Sequence, residues 1–171
     1  MTTKWQITPD WQGETVAILG NGPAMTEALA GSLAGFKRIA VNRAVKFAPC
    51  ADMFVALDQH HPFWEDAKDF TGLRVCGVEC EIDALYAGMF YETVTLKTGA
   101  VTEIRNNFLA AIRIAVRMGA AKIVLAGLDA DLYDQVHAHT GFSGFAEGLV
   151  KVLAEVRAQG VQVERVGQAA E

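Results

Sequence analysis

A short turn, Gly20-Asn21-Gly22-Pro23, interrupts the stretch VAILGNGPAMT and has the composition of a phosphate-binding loop. Its two glycines permit a tight turn and let a ligand approach the backbone with no Cβ in the way. Pro23 suits the first position of a helix, because its missing N–H has no partner to lose there. That helix start would offer N–H groups to a phosphate, and Asn21 would orient a phosphate or sugar oxygen. The same residues would also make a plain turn without a ligand.

The turn matches only part of the dinucleotide-binding fingerprint G-x-G-x-x-G. Met25 stands in place of the third glycine, and Asn42-Arg43 stand where an acidic residue for the ribose is expected. Both departures argue against an ordinary NAD site. We therefore predict that the turn, with Asn42 and Arg43, contacts a different nucleotide.

Polar side chains also follow other apolar runs of the chain. Asn42 and Asp58 each end such a run, and Asp129 and Asp131 follow the run KIVLAG. If these runs are parallel strands, the residues after them meet at one edge of the sheet, above the glycine turn. Carboxylate oxygens beside phosphates are the ligands that Mg²⁺ requires, so Asp58, Asp129 and Asp131 are predicted metal ligands. The alternative is that each residue caps a helix or lies in a loop.

Two histidines, His137 and His139, lie in a predicted loop after Asp129. A His-x-His pair can bind a transition metal, but no third soft ligand is near in the sequence, which disfavours zinc. We predict instead that one of them acts as a general acid or base or contacts phosphate. Solvent exposure without a function is the alternative.

Short apolar runs alternate with amphipathic segments along the chain, which is typical of β-α-β units and a parallel sheet. The predicted strands cover residues 15–20, 38–42, 51–57, 73–78, 91–96, 121–127 and 161–166, and the predicted helices cover 25–35, 103–118 and 143–160. No repeat or linker divides the 171 residues. The prediction is a single doubly wound, mostly parallel α/β domain of the Rossmann-like type over residues 1–171, with helices on both faces.

Composition excludes several classes of protein. Hydrophobic residues make up 51% of the chain and charged residues 20%, a globular balance. The net charge of −5 disfavours a nucleic-acid partner, and no stretch has the length of a membrane span. The 3 cysteines do not form a disulfide framework, so we expect a cytoplasmic protein.

With these features placed, the chain resembles the MptE-like family, whose namesake is the archaeal 6-hydroxymethyl-7,8-dihydropterin pyrophosphokinase. It is also similar to the bacterial sialyltransferases that share this Rossmann-like core. The matching segments are LGNGPAM (19–25), AVNRA (40–44), ADMFVALDQ (51–59), NNFLAAIRIAVRMGAAKIVLAGLDAD (106–131) and HAHTG (137–141). The resemblance implies a transferase that uses a nucleotide, and it implies that the HAHTG segment is a functional histidine loop.

The chain departs from that family at three points. Ala24 replaces the usual serine after the Gly-Asn-Gly-Pro run, which removes a hydroxyl. The short interval from Asp131 to His137 leaves no room for the lid of the sialyltransferases, and lidless relatives occur in phage and bacterial genomes. Asp58 stands where those transferases more often carry asparagine, which favours a metal–triphosphate site.

Three functions follow as hypotheses. The first is a nucleotide-dependent transferase of the pyrophosphokinase type, which uses Mg²⁺ and a small-molecule acceptor such as a pterin-like heterocycle. The second is a glycosyltransferase-like protein that uses a cytidine nucleotide sugar with a histidine as general base. The third is a non-catalytic binding or assembly protein on the same fold. No nucleic-acid or membrane partner is expected, and a homo-oligomer is compatible with the sequence.

Overall fold

A parallel sheet forms the centre of the molecule. The computed structural model describes residues 4–5, 7–56, 61–76, 89–91, 106–136, 138 and 144–167. Its strands are β1 (Lys4–Trp5), β2 (Thr15–Leu19), β3 (Lys37–Val41), β4 (Met53–Val55), β5 (Leu73–Cys76), β6 (Met89–Tyr91), β7 (Lys122–Ala126) and β8 (Gln162–Val166). Within the described ranges these strands form one sheet in the order β1-β6-β5-β4-β3-β2-β7-β8, and all neighbours are parallel.

Helices cover both faces of this sheet. They are α1 (Glu27–Ser32), a 3₁₀ helix (Asn42–Lys46), α2 (His61–Asp66), α3 (Asn107–Arg117), α4 (Ala130–Val136) and α5 (Phe145–Ala158). The buried residues of α3 and α5 share one core with Val16 and Ile18 of β2. The buried residues of α1, the 3₁₀ helix and α2 form the other core with Ala17 and Leu19. The predicted doubly wound α/β fold is confirmed.

The central strands consist of continuous apolar runs because both of their faces are covered. Residues 16–19 of β2 are 0% exposed, and those from Ile123 to Ala126 in β7 are at most 2% exposed. Alternate residues of a strand point to opposite faces, so each run contributes to both cores. In the described part of the chain, no helix is long and apolar enough to cross a membrane.

The chain reverses its direction of travel across the sheet between β2 and β7. From β2 the connections lead outward through β3, β4, β5 and β6, and the chain then returns to pair β7 with the opposite edge of β2. The connection after β2 packs on one face and the connection after β7 on the other. Such a topological switch point opens a crevice at the carboxyl ends of the two strands, where ligands of doubly wound sheets bind.

The first helix begins later than the sequence predicts. Pro23 is not its first residue, because α1 starts at Glu27 with Thr26 as its N-cap. Thr26 has an extended backbone, and its hydroxyl accepts a 3.0 Å hydrogen bond from the N–H of Leu29. The intervening residues form a turn in which Met25 N–H donates to Gly22 O at 2.9 Å, a typical length for a backbone hydrogen bond.

The segment after Asp129 is also more ordered than the loop that the sequence predicts. It begins with α4, of which no residue is buried. Leu132 and Val136 are 38% and 69% exposed. Because these apolar side chains lie on the surface of a short helix, the segment lacks the periodic apolar stripe by which helices are found in a sequence.

Candidate functional site

The glycine turn after β2 lies directly against the turn after β7. Gly20 N–H donates to Ala126 O at 2.8 Å, and Gly22 N–H donates to Gly127 O at 2.8 Å. The two chain segments therefore stay hydrogen-bonded beyond the ends of their strands. This contact places the glycine turn at the switch point and beside the segment that leads to Asp129.

Close backbone packing explains the glycines of both turns. A Cβ on Gly20 or on Gly22 would lie 2.7 Å from Gly127 O, closer than real Cβ atoms approach. Gly127 itself has φ +62°, and its Cβ would lie 2.8 Å from that of Met25. The glycines are thus required by the contact between the turns, whether or not a ligand binds. A phosphate cradle is not needed to account for them.

The exposed part of this turn is small. Asn21 and Pro23 are exposed, and Gly22 is half-buried between them. Within the described residues, the N–H groups of Asn21 and Ala24 donate to no backbone carbonyl. The prediction that a helix starting at Pro23 offers its N-terminus to a phosphate is wrong, because α1 starts at Glu27. Any anion at this turn would be held by the loop itself.

Asn42 adopts an unusual backbone conformation at the carboxyl end of β3. Its φ is +53°, the only positive φ of a non-glycine residue in the described ranges. Such left-handed residues are uncommon outside glycine, although asparagine tolerates the conformation best. The register of Leu19 with Ala40 brings the residues after β2 and β3 to the same edge, on strands about 5 Å apart.

A buried asparagine on α3 fixes the Asn42 side chain. Asn107 donates through Nδ2 to Asn42 Oδ1 at 2.7 Å. Asn106 precedes it as the N-cap of α3, and its Oδ1 accepts from Phe108 N–H at 3.0 Å and Leu109 N–H at 3.1 Å. The two neighbouring asparagines are 8% and 6% exposed, and they are the buried polar residues of the described chain. Asn106 thus caps α3, and Asn107 ties the start of that helix to the residue after β3.

The clamp by Asn107 determines what Asn42 can offer a ligand. Its Oδ1 already accepts one hydrogen bond, and its Nδ2 group is the part of the amide that can donate to a ligand. No residue of the described chain accepts from that Nδ2 group, and Asn42 is half-buried at the edge. An amide N–H₂ held in this way suits an acceptor such as a phosphate or carbonyl oxygen.

Arg43, the neighbour of Asn42, is directed toward α2. Its Nε lies 3.5 Å from Asp66 Oδ2, while Lys46 Nζ lies 3.1 Å from Asp66 Oδ1. The Arg43 side chain is 52% exposed. The structure thus places this predicted nucleotide-binding residue near the edge but in an ion pair.

The two described carboxylates predicted to bind metal lie at the start of α4. Asp129 caps this helix, because its Oδ1 accepts from Leu132 N–H at 2.9 Å. Asp131 is exposed in the first turn. The described residues contain no group of three histidine, cysteine or acidic side chains that could hold a metal. Asp58 lies outside the described residues.

Both predicted catalytic histidines, His137 and His139, lie outside the described residues, but the helices on either side of them are held together. Asp134 of α4 accepts from Phe145 N–H and from Ala146 N–H, each at 2.8 Å. These N–H groups start α5, whose own N-cap, Gly144, offers no side chain. Asp134 therefore supplies the missing cap from the neighbouring helix.

Aromatic rings pack beneath the switch point. The Phe108 and Phe145 rings lie 6.1 Å apart, and Tyr133 lies 5.2 Å from Phe145, both edge to face. A Cβ on Gly20 would be 3.1 Å from Cε2 of Phe108. The glycine turn thus packs against aromatic rings that connect the first turns of α3 and α5 to the end of β2. Outside this cluster of rings, Lys151 donates a hydrogen bond to the exposed Glu147, and this contact lowers the pKa of Glu147.

Some of these residues were accessible from the sequence and others were missed. Asn107, Gly127 and Asp134 were not singled out. Gly127 had a signal, since a glycine directly after an apolar run marks a turn. Asn106 before an apolar periodic segment is an N-cap signal. The contacts of Asn107 and Asp134 join residues distant in sequence, 65 and 11 positions apart, and had no local signal.

Fold and site together define a Rossmann-like α/β protein with a polar switch point. Comparisons with protein-family models, with curated proteins and with solved structures gave no significant match to the chain. The resemblance to the MptE-like family therefore stays a prediction made from the sequence motifs.

Proposed function

We propose that this protein binds a nucleotide through its phosphates at the carboxyl edge between β2, β3 and β7. The observation that carries the proposal is the Asn42 clamp. A left-handed residue held by a buried amide beside a topological switch point costs stability, and strain of this kind concentrates at binding sites.

Three kinds of donor would contact the phosphates. The Nδ2 group of Asn42 is the one with a fixed orientation, because Asn107 holds its amide at 2.7 Å. The exposed turn adds the N–H groups of Asn21 and Ala24, and Asn21 adds its side chain. Neutral donors of this type bind oxyanions without selecting a base. The base and the acceptor would be chosen by other parts of the site.

The reaction that we propose is group transfer from the nucleotide, of the pyrophosphokinase type. Mg²⁺ commonly uses one or two carboxylates together with phosphate oxygens and waters. Asp131 and the Oδ2 atom of Asp129 fit that donor chemistry, since Oδ1 of Asp129 already caps α4. A bound Mg²⁺ would neutralise charge on the transferred group. His137 or His139 would contact phosphate or move a proton.

A metal-independent transfer from a cytidine nucleotide sugar is the second candidate. It is favoured by one observation, that Oδ1 of Asp129 serves as a helix cap and so is already occupied by Leu132 N–H. A binding protein without catalysis is the third, since the glycines have a packing reason of their own.

A thermal-shift screen of nucleoside mono-, di- and triphosphates, each with and without Mg²⁺, tests the proposal. A ligand at 100 times its Kd should stabilise the native chain by about 2.7 kcal/mol, which raises Tm measurably. Asp131→Asn removes a candidate ligand of Mg²⁺, and Asp69→Asn, which also neutralises an exposed aspartate, is its matched control.

A triphosphate effect that needs Mg²⁺ and is weakened by Asp131→Asn alone supports the pyrophosphokinase type. A cytidine nucleotide effect that is indifferent to Mg²⁺ supports the sugar-nucleotide type. If no nucleotide of the screen shifts Tm, the nucleotide-binding proposal is wrong.

A further inference from the structure

Two cations share one carboxylate beside the candidate site. Asp66, the last residue of α2, has a side chain that is only 14% exposed. Lys46 Nζ lies 3.1 Å from its Oδ1, and Arg43 Nε lies 3.5 Å from its Oδ2. A carboxylate at the C-terminal end of a helix is disfavoured by the helix dipole, so Asp66 depends on a positive neighbour.

The two cations hold Asp66 in different ways. The Lys46 contact is within hydrogen-bonding distance, whereas Asp66 Oδ2 is buried and receives no hydrogen bond from the described residues. The Arg43 contact is therefore electrostatic, and its guanidinium keeps its fork of N–H donors. Lys46 alone can neutralise Asp66, so Arg43 is the partner that can leave.

Arg43 is also the cation placed to reach the site. It directly follows Asn42, and its side chain is 52% exposed. A guanidinium can donate two parallel hydrogen bonds to two oxygens of the same phosphate. Because Asn42 and the glycine turn supply neutral donors, a phosphate there would still lack a counter-charge from the described residues that line it.

We propose that Arg43 exchanges Asp66 for a phosphate of the bound nucleotide, so that Asp66 competes with the ligand and sets its affinity. This inference rests on the proposed function. It assigns Arg43 as the charge partner of the phosphates and Asp66 as a residue that weakens their binding. Lys46 stays with Asp66 in both states.

Calorimetric titration of the full chain with inorganic pyrophosphate tests the exchange. Arg43→Ala should weaken binding by about tenfold or more, the loss expected for a charge-assisted hydrogen bond. Lys68→Ala is its matched control, because Lys68 is 57% exposed, pairs with Glu65 and carries the same charge. Asp66→Asn should tighten binding by about two- to fivefold, and Asp69→Asn controls for its change in net charge.

The outcomes separate the exchange from the proposed function. If Arg43→Ala and Lys68→Ala behave alike, or if Asp66→Asn does not bind more tightly than Asp69→Asn, the exchange is wrong while phosphate binding stands. A parent chain that binds neither pyrophosphate nor any nucleotide refutes both. Thermal unfolding of each variant checks its fold, and Asp66→Ser takes the place of Asp66→Asn in the comparison if the asparagine variant is unfolded.

Discussion

Asn42 offers the sharpest test of the site, because glycine and alanine there have different effects on stability but the same effect on binding. Both substitutions remove the 2.7 Å hydrogen bond from Asn107, a loss of about 1 kcal/mol when water can replace the partner. Glycine accepts φ +53° readily, whereas alanine adds about 1–2 kcal/mol for the left-handed conformation. We expect a loss of about 1 kcal/mol for Asn42→Gly and about 2–3 kcal/mol for Asn42→Ala.

Thermal unfolding and nucleotide binding are measured on the same samples. At about 2–4 °C per kcal/mol for a chain of this size, Asn42→Gly should lower Tm by about 2–4 °C and Asn42→Ala by roughly twice that or more. The rise in Tm caused by nucleotide should disappear in both variants. If alanine is as stable as glycine, the strain at Asn42 is not real. If both variants still bind nucleotide, the amide does not contact the ligand.

Two further substitutions test the contacts around the site. Gly22→Ala should lower the free energy of unfolding in urea by about 1–3 kcal/mol, since its Cβ would lie 2.7 Å from Gly127 O. Gly31→Ala, with nothing within 4 Å, should not destabilise the chain, and equal effects would contradict the packing argument. Asp134→Ala should cost about 1–2 kcal/mol and speed amide exchange at Phe145 and Ala146, which it caps. Gln135→Ala is its exposed control, and unchanged exchange at those two amides would disprove the cap.

The fold could be predicted from the sequence because short stretches of sequence specify each of its main strands and helices. Runs such as TVAILG and AKIVLAG are apolar without interruption, as strands covered on both faces must be, and they became β2 and β7. The long helices α3 and α5 follow from their apolar periodicity. Helix α4 has a weak pattern and was missed, because two of its apolar side chains, Leu132 and Val136, are exposed.

The site could be read only in part, because its decisive contacts join distant residues. The position of the glycine turn at the carboxyl edge follows from alternating strands and helices. The predicted start of α1 was wrong because the sequence offers two start signals, Pro23 as a first helical residue and Thr26 as an N-cap. The helix uses Thr26 and begins at Glu27. The pairing of Asn42 with Asn107 depends on where α3 docks, which no local pattern encodes.

The glycine turn and the asparagine clamp carry different weight as indicators of a ligand. A glycine pattern arises wherever two backbones must approach, and here the contact of Gly20 and Gly22 with Gly127 accounts for it completely. The clamp is different, because it buries the amide of Asn107, and a buried amide costs stability unless it is hydrogen-bonded. A buried asparagine that holds a half-buried, left-handed asparagine beside the switch point is therefore the feature that argues for binding. The glycine turn marks the position of the proposed site, and the Nδ2 group of Asn42 is the donor that would bind the ligand.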